Sequence, residues 1–525
     1  MVFRLLFLLL CWLLAAGCAR QNFFQTDARV PGAAPLAPTA DSVRVTAGRH
    51  YKASGFHTIF FGRHYRQVWT TPVTVPVLNL QTTIAGGLRA GKLGGGFQST
   101  SMTLLGNNGR EYALRTLDKD PYKTLPPFLR KTFVLNLVRD ATSAINPYGA
   151  FVVPPLAQAA GVLHTTPRLL YIRPDETGLG ENAPRFQGKV ALLEEKFDGK
   201  NNLTPAFGDA QDLQDSEDVL RARYQEPSFQ FDQLAFARAR LLDIWLGDWD
   251  RHEGQWQWAV YKEKGRTLYR PVPKDRDQVF YRFDDGLVPW LVSRPFIVGK
   301  LRTFKPHYEN IPGLVKNARF IDERALNEVT DQQFQHLASE LQTRLSDDVI
   351  QAALRHLPPP VYALEGERTA AFLRARRAAL PAAARTYYRK LAHQVTIAGT
   401  DQPERFVVQR LTDSTTLVSL YALSDKAPLL YRRTFRTAET KLITLHGLGG
   451  EDVFEITGDV SRSIRVDIFG GPNPDTVKDT SHVRRGGKKT YYYDTRRGNT
   501  LEASATTRDK THKGVQMHAY DREGD

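Results

Sequence analysis

The chain is poor in sulfur, with two Cys and three Met in 525 residues. Two Cys exclude a disulfide scaffold and any Cys-rich zinc or iron–sulfur site. Acidic residues are in deficit, with 56 Asp and Glu against 71 Lys and Arg, a net charge of +15. That balance excludes an acidic, self-repelling chain and favours polyanionic partners such as nucleic acid, anionic lipid, lipopolysaccharide or phosphorylated ligands. Gly (39) and Pro (30) are near average, so the sequence is neither collagenous nor of low complexity. No G-x-S-x-G elbow, H-E-x-x-H pair or phosphoesterase His/Asp set occurs, which leaves hydrolase chemistry without carriers. Beyond residue 17 no run of 18 apolar residues appears, so no further helical span is expected.

The N-terminus does hold one apolar run. Met1–Gly17 reads MVFRLLFLLLCWLLAAG, with a single cation at Arg4 and small residues at its end. It is too short for a membrane span and reads as a signal peptide (1–17). Small residues before Cys18 resemble a bacterial lipoprotein signal, with Ala15 where Leu is commoner. This implies lipidation of Cys18 and a chain exported and anchored to the bacterial envelope, on the outer membrane facing the periplasm. Ordinary secretion with cleavage nearby is the alternative. Export removes nucleic acid as a partner and leaves the membrane, an anionic glycolipid or an outer-membrane protein. Residues 18–48, rich in Ala, Pro, Asp, Thr and Arg, are expected to form a lipidated flexible tether.

Short β-like runs and Gly-rich turns alternate from about Tyr65 to Leu117. VPVLNL is expected as a strand, TTIAGGLRAGKLGGGFQST as a Gly-rich loop, and SMTLL and EYALRTL as strands joined at Gly106–Gly109. Residues 123–162 are expected to be helical. PRLLYI and KVALLEEKF read as strands. Phe231, Leu234, Leu241, Leu242, Trp245 and Leu246 recur at helical spacing, which predicts a helix over 229–248. QWQWAVYK and TLYRPV read as a hairpin, and 322–357 and 364–393 as long helices. From about Val395 the pattern turns to short alternating strands, predicting an all-β module over 395–495 and a polar tail over 496–525.

The order of these parts is that of a phosphoryl-transfer enzyme: Gly-rich loop, basic strand, hinge, catalytic Asp and metal-binding Asp. Asp250-Arg251-His252 followed by Gln255 resembles the D-R-H-x-x-N loop of atypical kinases, among them HipA, the secretory-pathway kinases and the CotH family. Pro273-Lys274-Asp275-Arg276-Asp277-Gln278-Val279-Phe280 resembles the CotH metal loop, 25 residues beyond Asp250. The resemblance implies an α+β, two-lobed protein-kinase-like domain over 49–394, with an N-lobe at about 65–197 and a C-lobe at about 198–394. An all-β module, sandwich or β-roll-like, then follows. It implies Asp250 as base, Arg251 and His252 as residues holding its loop, and Asp277, Asp275 and Gln255 as ligands of Mg²⁺ or Mn²⁺. It implies Gly94, Gly95, Gly96, Arg115 and Lys119 at the ATP phosphates, and Glu194 at the adenine hinge. Two departures stand out: Gln255 replaces a metal-binding Asn, and Arg115 replaces the usual Lys.

The β module has a signal of its own. The stretches ending in Asp452-Val453-Phe454 and Asp475-Thr476-Val477 approximate G-G-x-G-x-D-x-U, a turn that binds Ca²⁺ in β-rolls. Calcium at Asp452 and Asp475 and a purely structural turn pair both remain open. The whole layout also resembles the soluble part of exported Bacteroidetes-type proteins that end in a barrel of the BamA/surface-antigen type. The reading is therefore an envelope phosphotransferase, with an inert kinase-fold scaffold as its alternative.

Overall fold

The computed structural model describes residues 19–94, 100–424, 427–512 and 519–524. Cys18, Gly95 and Gly96 therefore lie outside the described residues. The first paired strands are β1 (Ser42–Val45) and β2 (Val73–Pro76), which are antiparallel. They correct the expected tether. Val45 faces Val73 in register, and Val45 and Ala28 are fully buried, so this segment is part of the core rather than a free linker. The Tyr171 hydroxyl donates to Asp27 at 2.8 Å and fixes the same stretch.

A five-stranded antiparallel sheet follows, made of β3 (Leu88–Gly94), β4 (Ser101–Gly106), β5 (Glu111–Thr116), β6 (Arg168–Tyr171) and β7 (Val190–Glu195). Its order is β3-β4-β5-β7-β6. Strand β3 corrects the expected Gly-rich loop. Residues 88–94 bond along β4, and Gly94 pairs with Ser101 as a strand residue. Residues 123–162 are likewise less helical than expected. Only Phe133–Ala141 and Val153–Ala160 are α-helices, because Pro126, Pro127 and Pro147 break the run into 3₁₀ turns.

The predicted central helix is Gln233–Leu246, preceded by β9 below. The Asp232 side chain accepts from the Ala235 amide at 3.0 Å, and Gly247 ends the helix in the left-handed region. Ten of its residues are buried, so it runs through the core rather than along a surface. Beside it lies a second sheet of β8 (Asp212–Asp215), β9 (Phe229–Phe231), β10 (Trp256–Glu263) and β11 (Arg266–Pro273). β10 and β11 form the predicted hairpin. Trp245, Trp256 and Trp258 are fully buried, as their core reading requires. Helices Asp331–Arg344, Asp347–Leu354 and Pro359–His393 close this body.

The C-terminal region is a parallel coil of strands. Gln394–Ala398, Leu442–His446, Arg465–Phe469, Thr490–Tyr493 and Thr507–Asp509 stack in parallel as one sheet. Glu404–Thr412, Val453–Thr457, Thr476–Asp479 and Thr500–Glu502 stack in parallel as the other, with an antiparallel hairpin at its edge. This is roll-like packing. The coil also runs past residue 495, and Tyr520 is packed against Tyr224 and His446. The expected polar tail is thus partly folded, because each added strand satisfies the open backbone edge of the rung before it.

One corner of the coil carries a ladder. The Glu404 amide donates to Asp452 Oδ1, the Asp452 amide to Asp475 Oδ1, and the Asp475 amide to Asn499 Oδ1, at 2.7–2.8 Å. His446, Phe469 and Tyr493 stack face to face one rung apart, at 4.7 Å. The ladder gives Asp452 and Asp475 a structural task in place of the expected calcium: each holds the backbone of its neighbouring rung. Among the described residues no group of three His, Cys, Asp or Glu is arranged to hold a metal ion.

Burial, and then the adjoining carboxylates, push the Asp452 carboxyl up to about 9; burial, above all, pushes Asp475 and Glu404 to about 7. A carboxyl whose pKa is raised on folding stabilises the fold at acid pH, and this is lost as pH climbs to the folded value. Thermal stability should therefore fall between about pH 5 and pH 9. Asp452→Asn keeps the acceptor oxygen and removes the charge, as Asn499 already does one end along. It should raise the melting temperature at pH 9 by a few degrees and flatten the pH dependence, measured by calorimetry. An equal pH profile in both proteins contradicts this.

Candidate functional site

Strand alternation decides which side chains reach the cleft below the five-stranded sheet. Tyr112, Leu114, Ala191 and Leu193 point to one face and join its core. Arg115, Leu192 and Glu194 point to the other. Arg115 lies opposite Leu192 in register, so Glu194 is its diagonal neighbour. Arg115 donates to Glu194 Oε1 at 2.6 Å, and Thr165 Oγ donates to Oε2 at 3.0 Å. Glu194 was expected at a nucleotide hinge. The structure engages it with Arg115, the cation that lacks a partner in the sequence reading of 140–160. Burial raises the Glu194 pKa against the pull of Arg115.

Lys119 lies three residues beyond β5 and forms an ion pair with Asp277. Arg115 also reaches Asp275 Oδ1 at 3.4 Å. Arg115, Lys119, Glu194, Asp275 and Asp277 thus line one cleft, together with His164 and Thr165. Its interior is about 40 Å³, room for a few waters. Gly94 stands at the end of β3 on the same register line, through Ser101 to Arg115.

The opposite wall is built by two loops. The first follows the central helix and carries Asp250, Arg251, His252 and Gln255. Asp250 Oδ1 accepts from Asn317 Nδ2 at 2.7 Å. Arg251 is fully buried and donates to the Lys274 carbonyl (2.7 Å) and the Gln255 carbonyl (2.9 Å). It also lies over the Trp256 ring at 4.6 Å. It therefore ties the first loop to the second, as its expected holding role requires. His252 Nδ1 accepts from the Gly254 amide at 3.2 Å and caps a short turn. Hydrogen bonding to Glu253 raises its pKa. The Gln255 amide nitrogen approaches His252 Nε2 at 3.3 Å, while its Oε1 is buried without a hydrogen-bond partner.

The second loop starts at Lys274. Asp275 holds φ +58°, a conformation that costs a non-glycine residue about 1–3 kcal/mol and recurs at functional sites. Its carboxyl is about one-third exposed. Burial disfavours its charge, but Arg115 and Lys119, with a hydrogen bond from Gln255, outweigh that and hold it at about 2. It is ionised at every physiological pH.

Both loops rest on a buried ionic cluster that sequence reasoning missed. Asp243, on the central helix, is completely buried and meets Arg240 (2.7 Å), Arg251 (3.4 Å) and Arg276. Arg276 also reaches Asp248 at 3.2 Å, and Arg240 reaches Asp322 at 2.7 Å. The signal was a lone Asp and a lone Arg inside an otherwise apolar helix, RARLLDIWL. Three guanidiniums face three carboxylates, so no net charge is buried. Asp248 was expected at most to bind a neighbouring Arg, and it does.

No family model matches this sequence, and no curated protein matches it. Among solved structures, the Helicobacter pylori proinflammatory kinase CtkA is similar at 11% identity over 58% of this chain and 96% of its own, with a TM-score of 0.28. The Golgi casein kinase is similar at 11% identity over 66% and 84% (TM-score 0.25), and its form with Mn/ADP bound at 10% over 57% and 72% (TM-score 0.24). Likeness at that level is too low to assign a fold or an activity.

Removing one member of a buried ionic cluster strands its partners' charges and costs about 3–5 kcal/mol. Asp243→Ala should therefore lose that much unfolding free energy in denaturant titration. Glu217→Ala, which breaks an exposed pair with Arg221 at 2.7 Å, should lose less than about 0.5 kcal/mol. Equal losses would contradict the role given to the cluster.

Proposed function

We propose that the chain is an exported, membrane-anchored phosphotransferase of the atypical-kinase type, with an acceptor in the cell envelope. The observation that carries this reading is the meeting of Arg115, Lys119, Asp275 and Asp277, more than 150 positions apart at their ends, in one cleft. The Asp250 loop is tied to the Asp275 loop by Arg251.

In this reading Asp250 accepts the proton of the attacking hydroxyl, and its bond from Asn317 fixes its rotamer. Arg115 and Lys119 hold the phosphates of ATP. Asp275 and Asp277 are ligands for Mg²⁺ or Mn²⁺, and the unpartnered Gln255 Oε1 suits the same task, since hard cations take carboxylate and amide oxygens. Such an ion supplies neutralisation of the charge on the transferring phosphoryl group. The longer Gln side chain supplies an amide oxygen where the resembled kinases use Asn. Glu194 acts as the partner of Arg115. Gly94, at the strand end, leads into the hairpin segment that carries Gly95 and Gly96. For a nucleotide to enter, Lys119 must leave Asp277, because the closed cleft is too small for one.

That closure is the specific observation favouring a second reading, an inert scaffold of envelope assembly whose cleft is held shut by its own ion pairs. The basic surplus then serves an anionic glycolipid or an outer-membrane protein. In both readings Cys18 carries the lipid.

Three variants separate these readings. If the chain is an enzyme, ATP with Mg²⁺ or Mn²⁺ raises the melting temperature of the wild type. Asp277→Ala abolishes that shift and all phosphoryl transfer. Asp250→Ala loses transfer, by at least about 100-fold, and keeps the shift, because the base acts on the acceptor. No shift in the wild type at millimolar ATP with either metal leaves the scaffold. For the anchor, Cys18→Ser should abolish acyl labelling and release the chain from membranes. Unchanged fractionation would refute lipidation.

A further inference from the structure

One face of the molecule exposes apolar side chains that the fold does not need there. Helix Gly55–Phe61 (GFHTIFF) lies beside helix Leu287–Val292 (LVPWLV), which leads into Pro295–Val298 (PFIV). Phe56, Ile59, Leu287, Trp290, Leu291 and Phe296 are 47–81% exposed. Single exposed apolar residues are ordinary, but a set contributed by adjoining helices marks an interaction surface. The three helices contain no Asp or Glu. Their placement is rigid. The His64 amide donates to Asp285 at 2.8 Å, and Gly286 packs so closely on the Gly62 backbone that any side chain there would collide with it.

Three observations select the occupant. The first is position. The Ala19 amide donates to the Lys131 carbonyl at 2.9 Å, and the Arg20 amide to Asn136 at 2.8 Å. The N-terminal apolar segment, or a lipid at residue 18, is therefore joined to the body at the start of helix Phe133–Ala141. At the far end of that nine-residue helix, about 13 Å away, Asp140 contacts His57 of the apolar helix at 3.1 Å. The second is charge. Lys52 and Arg63 bracket the first helix, Lys131 stands at the anchor end, and Arg294 lies over the Trp290 ring at 4.2 Å. The nearby acids are neutralised by cations: Asp140 by Arg66, Asp284 by Lys305, and Asp285 faces His64. The third is Phe128, 76% exposed and three residues from Lys131, which repeats the pattern of aromatic beside cation at the anchor end. Aromatic and aliphatic tips with flanking cations are what the headgroup layer of an anionic bilayer accommodates.

We propose that this face inserts into the interface of an anionic phospholipid bilayer, as a second membrane contact beside the N-terminal attachment. The proposal rests on the anchored reading only for where the bilayer lies. It also sets the cleft near the membrane. Lys300, two residues past the last apolar helix, donates to Asn317 at 3.0 Å, and Asn317 holds Asp250.

The test uses the full-length chain mixed with phosphatidylglycerol vesicles, brominated or plain in the acyl chains. Flotation reports attachment, and bromine quenching reports depth. Trp69, Trp245, Trp256 and Trp258 are buried, whereas Trp290 is 47% exposed, so Trp290 is the sensitive reporter of this face. Brominated vesicles should remove about one-seventh of the emission, one Trp of seven. Trp290→Phe should abolish that loss while keeping the apolar surface. Phe56→Ser with Phe296→Ser, both at exposed positions, should at least halve it at an unchanged circular dichroism spectrum. A floating chain with no Trp290-dependent quenching overturns the proposal and spares the anchor. A chain that does not float, yet shows the quenching when vesicles are in excess, supports the proposal and removes the anchor.

Discussion

The arrangement depends on one buried ionic cluster. Asp243, Asp248 and Asp322 face Arg240, Arg251 and Arg276 beneath the cleft, and Asp243 alone meets three guanidiniums. Burying these charges is expensive, and the fold tolerates them because they balance and because every Arg also takes further acceptors. The geometric consequence exceeds the energetic one. Arg251 and Arg276 sit within the two loops that supply Asp250, Gln255, Asp275 and Asp277. Those loops cannot shift independently while the cluster holds. A core of the same volume made of Leu and Met would pack well and would leave the loops free.

Above this floor, the cleft is lined by opposite charges that satisfy one another. Lys119 on Asp277 and Arg115 on Glu194 and Asp275 close the space. Such pairs have two opposed meanings. In an enzyme they keep a cation and a phosphate site preformed, and the carboxylates exchange an ammonium for a metal ion. In a scaffold they are the final state. The strained backbone at Asp275 and the unpartnered Gln255 Oε1 favour the first meaning, since an inert loop has no need of either.

Much of this was legible in the sequence. Period-two alternation in EYALRTL and KVALLEEKF marked β5 and β7, and the same alternation turns Arg115 and Glu194 to one face. The apolar repeat over 229–248 gave the central helix to within a few residues. What failed, failed for physical reasons. GLRAGKL looked like a loop because Gly is a poor strand former, yet strand pairing overrode that propensity. Residues 19–48 lack periodicity, but Ala28 and Val45 are buried by strands supplied from elsewhere. Asp243 was invisible because a buried charge has meaning only through partners distant in the chain. Asp452 and Asp475 were read as turn residues, and the stacking that makes them a ladder needs the three-dimensional register.

The most direct test of the central claim is a crystal structure of the full chain with ADP and Mn²⁺. The account predicts the diphosphate against Arg115 and Lys119, with Mn²⁺ bound by Asp275, Asp277 and Gln255 Oε1. Lys119 should have left Asp277, while Arg251 still bonds the Lys274 and Gln255 carbonyls. A structure in which the Lys119–Asp277 pair is intact and nucleotide is absent from the cleft at millimolar ADP would contradict it.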